Sequence, residues 1–211
     1  DSGSFYNTAV GSTAGYDITT GDYNTLVGRY AGTTITTGSL NVCIGASSRP
    51  SSASGTHEIV LGYNVTGASN SSLTFGDSAT DTTCSMGGTT WTAPSDVRLK
   101  EDIQSEEIGL EFINELRPVT YQWKKAKDVP SEMKVYDPNS EERVMNGKHN
   151  HGFIAQEVKE VIDRYDFKEG FDMWSEDGED GRQRIGETAL IPILVKAIQE
   201  LSAEVEKLKG E

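Results

Sequence analysis

The sequence predicts an all-β fibrous repeat, followed by an α+β domain that ends in a coiled-coil helix. A short motif recurs between residues 7 and 76, the composition changes at Pro94-Ser95, and apolar residues step by three and four through the C-terminal segment.

The repeat comes first. Asn7-Thr8-Ala9-Val10-Gly11, Asn24-Thr25-Leu26-Val27-Gly28 and Asn41-Val42-Cys43-Ile44-Gly45 recur at a spacing of 17. Glu58-Ile59-Val60-Leu61-Gly62 and Ser72-Leu73-Thr74-Phe75-Gly76 continue the series at 17 and then 14. Each copy is a short apolar or β-branched run closed by glycine, followed by small residues and a turn such as Thr19-Thr20-Gly21 or Thr36-Thr37-Gly38. One such rung buries only about two or three apolar side chains, so it is stable only when stacked on its neighbours. Residues 1–76 therefore read as a fibre segment. The pattern resembles the left-handed β-roll heads of trimeric autotransporter adhesins of the YadA type over about residues 5–76, and that resemblance implies a homotrimer.

Residues 77–94 lose the repeat and read as a neck and exposed tether. Trp91 is either a sugar-stacking platform or a packing anchor, and the anchor is favoured.

Charge divides the chain at the same place. Residues 1–94 hold two basic residues, Arg29 and Arg49, and six acids. The remaining basic and acidic residues follow Pro94, so the second half has an ordinary globular composition. A net charge of -14 disfavours nucleic acid and anionic membranes as partners. No long apolar stretch predicts membrane insertion. Cys43 and Cys84 are too few for a disulfide framework, and Cys43 reads as a small buried thiol. Starting at Asp1, the sequence reads as a fragment of a longer protein.

The second half carries four motifs: Ser95-Asp96-Val97-Arg98-Leu99-Lys100-Glu101-Asp102-Ile103, Leu116-Arg117-Pro118-Val119-Thr120-Tyr121-Gln122-Trp123, His151-Gly152-Phe153-Ile154-Ala155-Gln156-Glu157-Val158, and Leu190 to Leu208. In this order they resemble the intramolecular chaperone domain of the S74 peptidase family, found at the ends of bacteriophage tailspikes, tail fibres and endosialidases and in myelin regulatory factor proteins. The resemblance implies a homotrimeric chaperone that helps the preceding fibre fold and then cuts itself off. It places the cleavage site between Pro94 and Ser95, with Ser95 as nucleophile and Lys100 as general base. Asp96, Arg98 and His151 are supporting candidates.

That chemistry is coherent. A serine hydroxyl needs a base, and a lysine can serve where burial or a neighbouring cation lowers its pKa. Arg98 is the nearest cation in sequence. Spacing alone would not identify the pair, because an α-helix sets residues 95 and 100 about 140° apart. Without the resemblance, Ser95 would read as an N-cap and Lys100 as a solvated lysine.

The other elements follow from periodicity. Ile108 to Leu116 has a helical apolar face and ends at Arg117-Pro118; Val119 to Trp123 alternates as a strand. Lys124 to Lys148 reads as a polar excursion or hairpin. Gly152 to Ala155 reads as a strand and Gln156 to Ile162 as a helix. His149 and His151 could share one side of an extended segment, but no third ligand stands nearby and no metal is expected. The acidic run from residue 169 to Gly181 lacks EF-hand spacing and reads as a solvated loop over Trp174. Ile191, Leu194, Ile198, Leu201, Val205 and Leu208 form a heptad seam, and Pro192 fixes the helix start near Leu190.

The expected domains are residues 1–76 (fibre), 77–94 (neck and tether), 95–189 (S74-like chaperone and autoprotease) and 190–211 (trimerising helix). The expected function is folding and maturation of a phage tail fibre or tailspike by a single-turnover serine peptidase without cofactors. The mature fibre would reside in the virion and the chaperone would act in the host cytoplasm. Upstream regions could engage a host-surface glycan or receptor. The rival is a permanent trimerisation foot of a receptor-binding adhesin with no cleavage. A transcription factor of the myelin regulatory type is disfavoured by the acidic repeats, and a glycan-degrading site would lie upstream of Asp1.

Overall fold

Stacking of the repeats builds the first of two compact units, Asp1–Asp102 and Ile103–Glu211. The computed structural model describes residues 6–165, 167 and 170–210. Residues 1–5 of the expected fibre segment, Glu169 of the acidic run and Glu211 of the expected C-terminal helix lie outside the described residues.

In the first unit, β1 (Thr8–Val10), β2 (Thr25–Val27), β3 (Val42–Ile44), β4 (Ile59–Tyr63) and β5 (Ser72–Asp77) pair in parallel in chain order. The register is the sequence repeat itself: Ala9 pairs with Leu26, Leu26 with Cys43, Cys43 with Val60, and Val60 with Thr74. A β-solenoid-like sheet results. An antiparallel strand, β6 (Thr80–Ser85), closes it against β5.

Each rung needs few apolar side chains because its core is one column wide at each position. Leu26, Cys43 and Val60 stack along the strands, with Ala31 and Val65 on one flank and Ile35 packed among them. Burial pushes the Cys43 thiol up to about 12, with the nearby Glu58 adding to the shift, so it behaves as a hydrophobe.

Polar order is supplied by an asparagine ladder. The Asn7 side-chain oxygen accepts from the Asn24 backbone N–H and side-chain amide, at 2.8 and 3.0 Å, and Asn24 does the same for Asn41 at 3.0 Å each. Their amides also donate to Gly21, Gly38 and Gly55 carbonyls at 2.7, 3.0 and 2.8 Å. The buried Glu58 ends the ladder. Its N–H donates to Asn41, while its carboxylate accepts from the Ser51 N–H and hydroxyl at 2.9 and 2.7 Å.

Asn24 is 1% exposed, so removing its side chain orphans buried groups above and below. Asn24→Ala is expected to destabilise the first unit by ~2–3 kcal/mol, read from chemical denaturation. A change under ~0.5 kcal/mol would mean that the ladder contributes little beyond what water supplies.

The second unit is built from α1 (Leu110–Glu115), β7 (Val119–Tyr121), β8 (Asn150–Gly152), α2 (Ala155–Ile162), β9 (Trp174–Glu176), β10 (Gln183–Ile185) and α3 (Leu190–Lys209). β7 pairs antiparallel with β8, and β9 with β10. Phe112 is fully buried among Tyr165, Phe167 and Phe171, with ring centroids 5.2, 5.0 and 6.2 Å away. Val158 and Val161 of α2, Met173, and Leu190 and Ile193 of α3 complete the core. The Glu200 carboxylate accepts the Leu110 N–H at 2.8 Å, satisfying an otherwise free donor at the start of α1.

Two expectations change and one alternative is decided. The strand expected at Gly152–Ala155 lies at Asn150–Gly152, because Phe153 packs against the core and Ala155 already begins α2. Residues 124–148 hold a short 3₁₀ turn, Ala126–Asp128, and an isolated Lys125–Arg143 bridge rather than a hairpin of paired strands. The acidic run ends in the turn between β9 and β10, where Arg184 and Arg182 hold the Asp177 carboxyl well below the usual range. Trp174 there donates to Gln183 at 3.1 Å and lies under the Lys159 ammonium.

Candidate functional site

The segment from Trp91 to Lys100 is positioned by its attachment to the stack. Thr92 and Thr83 exchange backbone hydrogen bonds at 2.9 Å each, and the half-exposed Trp91 meets Phe75 edge-on at 5.5 Å. Ala93 and Pro94 then lead away from β6, and Pro94, Ser95 and Lys100 are all exposed.

Asp96 is the local organiser. Its backbone is extended, and its side-chain Oδ1 accepts the Arg98 N–H at 2.9 Å, capping a 3₁₀ turn over Val97–Leu99. The turn closes with Leu99 N–H to Asp96 O at 3.0 Å and Lys100 N–H to Val97 O at 3.2 Å. Lys100 returns to extended backbone, and its Nζ reaches the Ser95 Oγ at 2.7 Å. A tight turn followed by an extended residue thus joins two side chains that a continuous helix would hold apart.

The Arg98 guanidinium is clamped on Asp96, with Nε at 3.0 and 3.1 Å and a terminal nitrogen at 2.6 Å. The pairing lowers the Asp96 carboxyl and raises Arg98 from their ordinary values. Arg98 is therefore a matched charge rather than a free cation beside the lysine. Chemically, a neutral amine at 2.7 Å can take the serine proton, and the Ser95 hydroxyl is next in the chain to the Pro94 carbonyl it would attack.

Ser95, Asp96, Arg98 and Lys100 come together within one turn. His151 belongs to the second unit, on β8 opposite Thr120. There it lines a groove of about 740 Å³ with Ile113, Leu116, Phe153, Leu190 and Leu194. His149 precedes β8, its Nδ1 3.5 Å from the Gln122 amide nitrogen. Among the described residues, no group of three or more His, Cys, Asp or Glu is placed to hold a metal, and no helix is long and apolar enough to cross a membrane.

Sequence reasoning named Asp96 only as support. The signal for its capping role was Asp96 standing before Val97-Arg98-Leu99, a cap residue ahead of a short turn.

The heptad seam on α3 is largely exposed: Ile191, Leu194, Ile198, Leu201, Val205 and Leu208 are 39–72% exposed. The adjacent stripe, Leu190, Ile193 and Ala197, packs into the core.

Comparison with known proteins gives one result. Residues 95–166, roughly a third of the chain, match the model of the family described as chaperone of endosialidase, an S74 peptidase family. No curated protein and no solved structure matches the chain. The match opens on the serine that the turn brings to Lys100, and residues 95–166 are accordingly a chaperone-of-endosialidase domain of the S74 peptidase family.

Proposed function

We propose that residues 95–211 are the intramolecular chaperone of a phage tail fibre or tailspike, that they act as a homotrimer, and that they release themselves by cutting between Pro94 and Ser95. The observation that carries the reading is the 2.7 Å contact between Ser95 Oγ and Lys100 Nζ at the first residue of the matched domain. Lys100 takes the hydroxyl proton and Oγ attacks the Pro94 carbonyl. The carbon–nitrogen bond breaks as the proton passes to the Ser95 nitrogen, and water then hydrolyses the ester. Orientation supplies much of the rate, since the hydroxyl and its target share one peptide.

The exposed seam of α3 supports self-association, and the apolar Val97, Leu99 and Ile103, each 65–67% exposed, are surfaces that neighbouring chains would cover. Association at the C-terminal end sets three chains in register before the stacked rungs gain core energy. Cutting afterwards removes the route back and leaves the fibre kinetically trapped. The mature fibre would belong to the virion, and the chaperone would work in the host cytoplasm.

The permanent-foot reading has one observation in its favour: Lys100 is exposed and Arg98 is paired, so the single chain shows neither burial nor a free cation at the amine. Intact mass and denaturing electrophoresis of folded protein separate the two. Fragments meeting at Pro94 and Ser95 support the self-cleaving chaperone. A trimer that stays whole at 22.9 kDa per chain supports the foot.

A further inference from the structure

We infer that Asp96 is a positioning residue for the Ser95–Lys100 pair, acting through its cap on the Arg98 N–H. The inference rests on the self-cleavage reading above. Four residues separate Ser95 from Lys100, with no core beneath them: Ser95, Val97, Arg98, Leu99 and Lys100 are exposed and Asp96 is half-buried. Packing within the single chain therefore does not hold the two side chains together. What holds them is the 3₁₀ turn, a conformation too short to persist by itself.

The turn depends on the Asp96 side chain. It has two closing backbone bonds, Leu99 to Asp96 and Lys100 to Val97, which leave the Arg98 N–H without a backbone acceptor in the turn. Asp96 Oδ1 accepts that N–H at 2.9 Å. Losing the cap lets the turn fray, and Lys100 then leaves the direction that places Nζ 2.7 Å from Oγ. The same carboxylate also binds the Arg98 guanidinium. Cap and ion pair are thus separable: asparagine keeps the first and loses the charge of the second.

The test compares cleavage rate constants of parent, Asp96→Ala, Asp96→Asn and Arg98→Ala by intact mass, with Ser95→Ala as the uncut reference. Oligomeric state is measured in parallel by light scattering. Asp96→Ala is expected to slow cleavage roughly 10- to 100-fold with assembly unchanged, as expected for a small misplacement of a reacting group. Asp96→Asn restores the rate to within about threefold of the parent, and Arg98→Ala stays within the same range. An Asp96→Ala chain that cleaves at the parent rate overturns the inference. So does one that loses assembly, since the side chain would then hold the fold rather than the pair. An Asp96→Asn chain as slow as Asp96→Ala also overturns it, by assigning the effect to the ion pair. A parent that never cleaves strikes the self-cleavage reading instead. The cap is then read by itself as slowed hydrogen exchange at the Arg98 N–H, lost in Asp96→Ala and kept in Asp96→Asn.

Discussion

Ser95→Ala is expected to leave the chain whole for as long as it is watched, because it removes the oxygen that would carry the acyl group. Lys100→Ala keeps that oxygen and removes its base, so cleavage should fall by roughly 10²- to 10⁴-fold. Lys100→Arg is the sharper variant. Arginine retains a cation and hydrogen-bond donors within reach of Ser95 but does not give up its proton in proteins, so it cannot act as base. The expected result is a folded, assembled and uncut Lys100→Arg chain, followed by intact mass over days. Cleavage of that variant at the parent rate would remove Lys100 from the mechanism and leave the 2.7 Å contact a surface hydrogen bond.

The second large effect is in the repeat stack. Gly45 sits at φ +126°, where L side chains are strained, and an added Cβ would lie 2.0 Å from the Gly62 carbonyl oxygen. Backbone relaxation is blocked by the repeat itself, since a Cβ on Gly62 would in turn lie 1.9 Å from the Gly76 carbonyl oxygen. Conformational strain and overpacking together give an expected loss of ~4–5 kcal/mol for Gly45→Ala. On a unit of this size that corresponds to a fall of roughly 20 °C in Tm. Gly87→Ala is the control. It too has positive φ, +80°, but a Cβ there meets nothing within 4 Å, so only the ~1–2 kcal/mol of left-handed strain is expected. Equal effects at the two positions would show that strain, rather than the close approach between rungs, sets the requirement for glycine.

The fold was legible where each residue does the same thing in every copy. Asn24, Leu26 and Gly28 occupy fixed offsets, so the period of 17 in the sequence is also the register between strands. It was less legible where one residue serves two surfaces. On α3 the heptad spacing identified the exposed seam but not the buried stripe of Leu190, Ile193 and Ala197, because that stripe answers to α1, which lies far away in sequence. The strand β8 was misplaced by its neighbour Phe153, whose apolar character belongs to the core rather than to a strand. At the site, the identities of Ser95 and Lys100 were legible through a family resemblance and not through spacing. An angle on an ideal helix says nothing about a 3₁₀ turn that ends in an extended lysine, and that turn depends on a single side-chain acceptor at Asp96.

Glu58 has a consequence for how the stack counts. Near-identical rungs can in principle be paired one step out of phase, since Leu26 over Val60 would bury much the same surface as Cys43 over Val60. A shift by one step would bring Glu58 into the position filled by Asn41, where an amide hydrogen reaches a glycine carbonyl, and a carboxyl side chain has no amide hydrogen to offer. The one acidic member of the ladder therefore numbers the rungs, leaving a single phase in which every member of the column is satisfied.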